Sequence, residues 1–149
     1  MCLIQKVIYY SFLLLFISSS QAQETFLSLK KNKVNIRYGP SFDFPVKYVY
    51  KKINLPVKQI DKKENFRRII DLKNNGGWVH VSQIKKNNSI IVLQDKILFK
   101  KPSIFSKPIA QIKKGRLLVI KTCDNDWCRI LSDNFVGWIK TSNIWGSIN

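Results

Sequence analysis

The sequence contains an internal repeat. Residues 34–41 are matched by 96–103, 65–69 by 126–130, 77–79 by 137–139 and 82–84 by 142–144, always in the same order and at offsets of 60 to 62. A unit that recurs once at this spacing predicts two small domains of the same fold. We place these domains at residues 26–86 and 89–147, with a polar linker around residues 85–89.

Each copy has the pattern of a series of short strands. Val34 and Ile36 alternate with Asn35 and Arg37, which gives one strand an apolar face, and the Gly39-Pro40 pair ends it because proline lacks an N–H. Further strands are predicted over residues 45–50, 55–60, 66–72 and 78–81, with a hairpin at 74–77 and a closing turn at 82–84. Long segments with a helical period are missing. The sequence therefore predicts an all-β fold of two five-stranded barrels.

The first 22 residues have a different character. Lys6 is the only charge before Glu24, residues 7–17 are almost entirely apolar, and the small residues Ser20 and Ala22 follow. This pattern predicts a secretory signal peptide cleaved after Ala22, and hence an exported protein. An uncleaved anchor is the alternative, although the apolar run is shorter than the roughly 20 residues that cross a bilayer.

Two of the three cysteines remain after such cleavage. Cys123 and Cys128 are separated by four residues, a spacing that suits a bridge across a tight hairpin, and an oxidising compartment favours a disulfide. Tetrahedral zinc needs four ligands, and the single histidine, His80, lies in the other half of the chain. We expect no metal site and no cofactor.

Four motifs give the chain a resemblance to a known family. In the first copy they are Val34-Asn35-Ile36-Arg37-Tyr38-Gly39-Pro40 and Gly77-Trp78-Val79-His80, and in the second Cys123-Asp124-Asn125-Asp126-Trp127-Cys128 and Ile144-Trp145-Gly146. The sequence resembles tandem bacterial SH3 domains of exported Gram-negative proteins over nearly its whole length after the signal. The resemblance implies two SH3-like barrels and a periplasmic or cell-envelope location. Because Lys100-Lys101 replaces the usual glycine region, the first loop of the second barrel is expected to differ.

The polar residues do not suggest catalysis. Nine acidic residues and one histidine are spread mostly over predicted loops, and no hydrolase motif is present. We therefore predict a non-enzymatic protein without catalytic residues. His80 is interpreted as a strand residue facing solvent.

Aromatic residues near the first long loop are the candidate ligand contacts. Such rings can form a shallow platform for an extended peptide or a sugar, with Lys47, Lys51 and Lys52 nearby to hold a carboxylate. The alternative is that several of them fill the barrel, in which case Tyr48 and Tyr50 share one environment and Val49 has the opposite one. The candidate set is Tyr38, Phe42, Phe44, Tyr48, Tyr50 and Trp78.

The formal net charge of +17 favours anionic partners, although the excess of lysine is equally typical of an AT-rich genome. The leading hypothesis is a binding module for cell-wall peptide or glycan, or for an envelope protein, as the resemblance implies. Alternatives are electrostatic binding to an anionic polymer or a lipid surface, with peripheral membrane contact, and a structural adaptor of an envelope complex. An exported protein is not expected to bind nucleic acid. The sequence does not indicate an oligomeric state.

Overall fold

The computed structural model describes residues 25–146 and consists of two antiparallel sheets in tandem, each with seven strands. A 3₁₀ turn, η1 (Val81–Gln83), is the only helical element in the described part of the chain. The predicted all-β class is confirmed. The predicted signal peptide lies outside the described residues.

The two sheets have the same topology. The first runs in the order β3-β2-β6-β5-β4-β1-β7 and the second in the order β10-β9-β13-β12-β11-β8-β14, so that each strand has a counterpart seven positions later. The strands of the first sheet are β1 (Thr25–Leu29), β2 (Val34–Arg37), β3 (Val46–Tyr50), β4 (Pro56–Lys63), β5 (Phe66–Ile70), β6 (Gly76–His80) and β7 (Ile84–Lys86). Those of the second are β8 (Ser89–Val92), β9 (Lys96–Phe99), β10 (Pro108–Ile112), β11 (Leu117–Asp124), β12 (Trp127–Ser132), β13 (Phe135–Lys140) and β14 (Ile144–Trp145).

The strand count exceeds the predicted five because the ends of each repeat also pair. β1 lies between β4 and β7, with Leu27 opposite Lys86 and Leu29 opposite Ile84. Backbone N–H and C=O groups next to a sheet gain hydrogen bonds by joining it. The polar segment between the barrels is shorter than the predicted residues 85–89, since residues 85 and 86 belong to β7, residue 89 begins β8, and only residues 87 and 88 lie between the strands.

Each barrel has its own apolar core. Alternation along β2 turns Val34 and Ile36 inward, and the equivalent positions of β9 turn Lys96 and Leu98 inward. The first core consists of Leu29, Val34, Ile36, Val57, Ile69, Val79 and Ile84. The second consists of Ile90, Val92, Leu98, Ile112, Leu118, Cys128, Ile130 and Ile139.

A buried cluster of polar side chains joins the two barrels. Ser28 on β1 donates a hydrogen bond to Oδ1 of Asn87 at 2.6 Å, and its hydroxyl lies 2.9 Å from that of Ser89 on β8. Ser28, Asn87 and Ser89 are all buried, and Ser89 also donates to the carbonyl of Asn54 in the first barrel. Buried polar groups that satisfy one another fix a single arrangement of the elements that carry them.

Trp145 on the last strand adds a second contact between the barrels. Its Nε1 donates to the carbonyl oxygen of Pro56 on β4 at 3.0 Å. Its ring also packs edge-on against Phe26 on β1, with ring centroids 5.1 Å apart. The first and second barrels are thus joined by side chains as well as by the chain itself.

The two cysteines face each other across the hairpin between β11 and β12. Cys123 and Cys128 are register partners and their sulfur atoms lie 1.90 Å apart, in agreement with the predicted disulfide. Cys128 belongs to the second core. No helix in residues 25–146 is long and apolar enough to span a membrane.

Candidate ligand-binding site

The loop between β2 and β3, residues 38–45, carries three of the six candidate aromatics and is called here the first loop. Its ends are joined by the hydrogen bond from Tyr38 N to Pro45 O, at 3.2 Å. Inside it, Ser41 N donates to the carbonyl of Gly39 at 3.0 Å, and Asp43 N donates to the Ser41 hydroxyl at the same distance. The loop is therefore internally ordered.

Arg37, the last residue of β2, holds the first loop from beneath. Val34 and Ile36 occupy the inward positions of the strand, so Arg37 points outward. Its Nη1 donates to the carbonyl oxygens of Phe44, at 2.8 Å, and of Phe42, at 3.3 Å. The guanidinium carbon also lies 5.4 Å from the centroid of the Phe42 ring, within the range of a cation–π contact.

A small aromatic cluster forms where the first loop covers the sheet. Phe42 packs against Phe66 and His80 with centroid distances of 5.2 and 5.1 Å, and Phe66 and His80 are register partners on β5 and β6. Phe66 is only 6% exposed and does not belong to the first core cluster, and Phe42 of the first loop packs edge-on against its ring. The interpretation of His80 as facing solvent holds only in part, since its ring is half-buried and its Nδ1 pairs with the Ser82 hydroxyl at 2.8 Å. Sequence reasoning did not place Phe66 or His80 in this cluster.

Three of the candidate side chains remain largely open to solvent. Tyr38 is 62% exposed, Phe42 64% and Phe44 44%. Phe44 lies directly over Gly39, where an added Cβ would come within 2.5 Å of the ring. Gly39 is needed for this close approach. Among the described glycines, positive φ occurs at Gly115 and Gly146 and not at Gly39.

Tyr48 and Tyr50 have a different environment. Both are half-buried and pack against the first core, and their rings meet edge-on at 5.1 Å. The Tyr50 hydroxyl donates to Oδ2 of Asp71 at 3.0 Å, and burial raises the pKa of both tyrosines above the ordinary value. The two side chains share one environment, while Val49 between them is also half-buried but lies outside the core cluster.

Lys47 borders the exposed rings. Its Nζ donates to the carbonyl of Gly76 at 3.1 Å and lies 5.7 Å from the Tyr38 centroid and 6.0 Å from that of Tyr48. Lys51 and Lys52 are exposed in the segment that follows β3. A cation is thus fixed beside the Tyr38 ring, in a position to pair with an anionic group of a ligand.

Trp78 lies on the outer face of β6 and is half-buried. Its register partners are Arg37 on β2 and Arg68 on β5, so a basic side chain stands on each side of the indole. Gly77, which precedes it, lets the strands approach closely, since a Cβ there would lie 2.6 Å from Cγ2 of Ile36. Trp78 shares its face with His80 and continues the aromatic surface beyond the first loop.

The equivalent loop of the second barrel, residues 100–107, is called the second loop. It repeats the backbone pattern of the first: Lys100 N donates to Lys107 O at 2.9 Å, Ser103 N to Lys101 O at 2.8 Å, and Phe105 N to the Ser103 hydroxyl at 3.2 Å. The expected difference between the two loops therefore lies in their side chains and not in these hydrogen bonds.

Within residues 25–146, no three His, Cys, Asp or Glu side chains are grouped so that they could hold a metal ion. The exposed aromatic rings and the basic side chains around the first loop are suited to binding an extended or anionic ligand.

Comparisons with known proteins identify the family. The model of the bacterial SH3 domain matches residues 30–86 and again residues 96–146. No curated protein matches the sequence. Among solved structures, the chain is similar to NlpC2 and NlpC1 from Trichomonas vaginalis, at 13% and 14% identity and a TM-score of 0.39 for each. The alignments cover 86% and 87% of this chain but 50% and 48% of theirs, so the chain spans about half the length of those proteins. With the family model matched in each half, the chain belongs to the bacterial SH3 domain family.

Proposed function

We propose that the chain is a non-enzymatic binding module of the cell envelope, which is exported to the periplasm and recognises peptidoglycan-type peptide or glycan through the face around the first loop. Membership of the bacterial SH3 family supports a cell-wall-related binding role. The signal-like pattern that ends at Ala22 and the cysteine pair at bonding distance both support export to an oxidising compartment.

The observation that carries the proposal is the exposure of large rings on an ordered loop. Tyr38 and Phe42 are each more than 60% exposed, yet the loop that bears them is closed by its own hydrogen bonds and held by Arg37. Side chains displayed in this way need little further ordering when a ligand arrives, which lowers the entropic cost of binding. Flat rings also offer a large contact area for the face of a sugar or for an extended peptide.

Charge supplies the second part of recognition. Lys47 stands beside Tyr38, Arg37 and Arg68 flank Trp78, and the whole chain carries a net charge of +17. Wall peptides that bear carboxylates would meet a complementary potential, which speeds encounter and favours one orientation. Binding should therefore weaken as salt rises.

Co-sedimentation with purified peptidoglycan sacculi tests the proposal. Residues 23–149, which include both sheets, are pelleted at about 50 mM and about 300 mM salt, where the Debye length falls from roughly 14 to 6 Å. We expect Tyr38→Ala and Phe42→Ala to weaken pelleting about fivefold or more. Phe135→Ala is the matched control, because Phe135 is 50% exposed on β13 of the other barrel.

The outcomes separate two functions. Pelleting that depends on salt and on Tyr38 supports recognition of the wall. If Tyr38→Ala, Phe42→Ala and Phe135→Ala all pellet to the same extent, the first loop does not contact the wall. Absence of pelleting at either salt concentration would favour the second candidate function, an adaptor that binds an envelope protein through the same exposed rings. In that case a protein from an envelope extract should be captured by the unaltered chain and not by Tyr38→Ala.

A further inference from the structure

We propose that the second loop docks the second barrel onto an anionic phospholipid bilayer, with Ile104 and Phe105 entering the interfacial region and Lys100, Lys101 and Lys107 contacting the lipid head groups. This inference concerns the other barrel and another ligand, and so it is independent of the proposed recognition of the wall.

The first observation is the exposure of the loop tip. Phe105 is 94% exposed, more than any other large apolar side chain in residues 25–146, and the adjacent Ile104 is 58% exposed. Single exposed apolar side chains are ordinary on protein surfaces. Here two are adjacent in the chain, and Ile97 and Ile109, on the two strands that the loop connects, are also exposed, at 49% and 38%.

The second observation is that the loop satisfies much of its own backbone. The Ser106 hydroxyl accepts from Lys101 N at 2.9 Å, the Ser103 hydroxyl accepts from Phe105 N, and Ser106 N donates to Ser103 O at 3.1 Å. Backbone groups that are already paired can approach a region of low polarity without losing hydrogen bonds to water. The two serines also turn the intervening Ile104 and Phe105 outward.

The third observation is the charge around the tip. Residues 96–123 contain no acidic residue. Lys100, Lys101 and Lys107 flank the tip, and all three are exposed. Apolar side chains at a tip surrounded by cations are complementary to an anionic surface that covers an apolar layer. A hydrated wall polymer offers no such layer for Phe105.

The first loop provides the internal comparison. The two loops share their hydrogen-bond pattern at an offset of 62 residues, so Phe105 occupies the position of Asp43, and Lys100 and Lys101 occupy those of Tyr38 and Gly39. The same backbone therefore presents an acidic residue at the tip in one barrel and an aromatic residue flanked by lysines in the other. We infer different ligands for the two loops from this contrast.

Vesicle co-sedimentation tests the inference. Residues 23–149 are incubated with phosphatidylcholine vesicles that contain about 30% phosphatidylglycerol, and with pure phosphatidylcholine vesicles as the neutral surface. We expect binding to the anionic vesicles alone. Phe105→Ala should weaken it about tenfold, as expected for withdrawal of a phenyl ring from an apolar environment, and Lys100→Gln with Lys101→Gln about thirtyfold. Phe135→Ala and Tyr38→Ala are the controls and should bind as the unaltered chain does.

Each alternative result has a definite meaning. Equal binding to both kinds of vesicle, absence of binding, or binding that Phe105→Ala leaves unchanged would overturn the inference. A circular dichroism melt of each variant shows that it is folded. In parallel, Phe105→Ala should pellet with sacculi as the unaltered chain does. If it instead lost both activities, the second loop would also belong to the wall-binding surface, and the inference of different ligands for the two loops would be wrong.

Discussion

Replacing Gly39 by alanine tests how the first loop is built. The added Cβ would lie 2.5 to 2.6 Å from three carbons of the Phe44 ring, whereas carbon atoms in contact are about 3.5 Å or more apart. Gly39 has no positive φ, so alanine meets no backbone strain there and the clash is the dominant effect. Overpacking typically costs about 1–3 kcal/mol, and we expect about 1 kcal/mol because the ring is 44% exposed and can swing outward.

In the second barrel, the positions equivalent to Gly39 and Phe44 are both occupied by different residues. Lys101 stands at the position of Gly39, and the position of Phe44 is occupied by Ser106, which has no ring to collide with a Cβ. A double-mutant cycle should reproduce this: Gly39→Ala in a Phe44→Ser background should cost less than about 0.5 kcal/mol. Urea unfolding followed by circular dichroism measures each free energy of unfolding. If Gly39→Ala is equally destabilising with and without the Phe44 ring, the steric explanation is wrong.

Three further predictions concern stability. Trp145→Phe removes the N–H donor to Pro56 O and should lower the free energy of unfolding in urea by about 1 kcal/mol. An unchanged free energy of unfolding would mean that this hydrogen bond does not stabilise the junction. Reduction of the Cys123–Cys128 bond should destabilise the second barrel by about 2 kcal/mol, as chain entropy predicts for so short a loop, and an unshifted melting temperature in reductant would contradict this. Burial raises the pKa of Tyr50 in the folded chain. As pH rises above about 10, Tyr50 therefore loses its phenolic proton in the unfolded chain before it does so in the folded chain, and the free energy of unfolding should fall. Tyr50→Phe should show a shallower fall than the unaltered chain between pH 10 and 11, and identical slopes would refute the assignment.

The fold could be predicted from the sequence because its main signals are local or repeated. Alternation at Val34 and Ile36 identifies β2, and the 62-residue offset of this segment carries the same assignment into the second half. The pairing of β1 with β7 was not predictable in this way, because it joins segments about 58 residues apart whose composition is mixed. The buried state of Asn87 and Ser89 was missed for a related reason: polar residues between repeats are typical of linkers, and only the facing Ser28 makes them a junction.

The candidate site was predictable as a set of aromatics but not as an arrangement. Tyr38, Phe42 and Phe44 could be selected from their position in the loop. Which rings remain exposed depends on contacts distant in sequence, such as that of Phe42 with Phe66 and His80. Gly39 could be interpreted only as part of the pair that ends β2, since the sequence does not show that the Phe44 ring lies over it.

If the chain makes both proposed contacts, the junction between the barrels determines how they combine. Where domains are joined by a flexible linker, the second contact forms at an effective concentration set by the length of that linker. Here only two residues separate the sheets, and Ser28, Asn87 and Ser89 form hydrogen bonds across the boundary. The orientation of one barrel relative to the other is therefore fixed by these contacts. Targets spaced to suit the two loops would be held with full avidity, and targets at other spacings would be held by one loop alone. For the two proposed contacts, selectivity for the spacing of targets would therefore be a property of the junction and not of either loop.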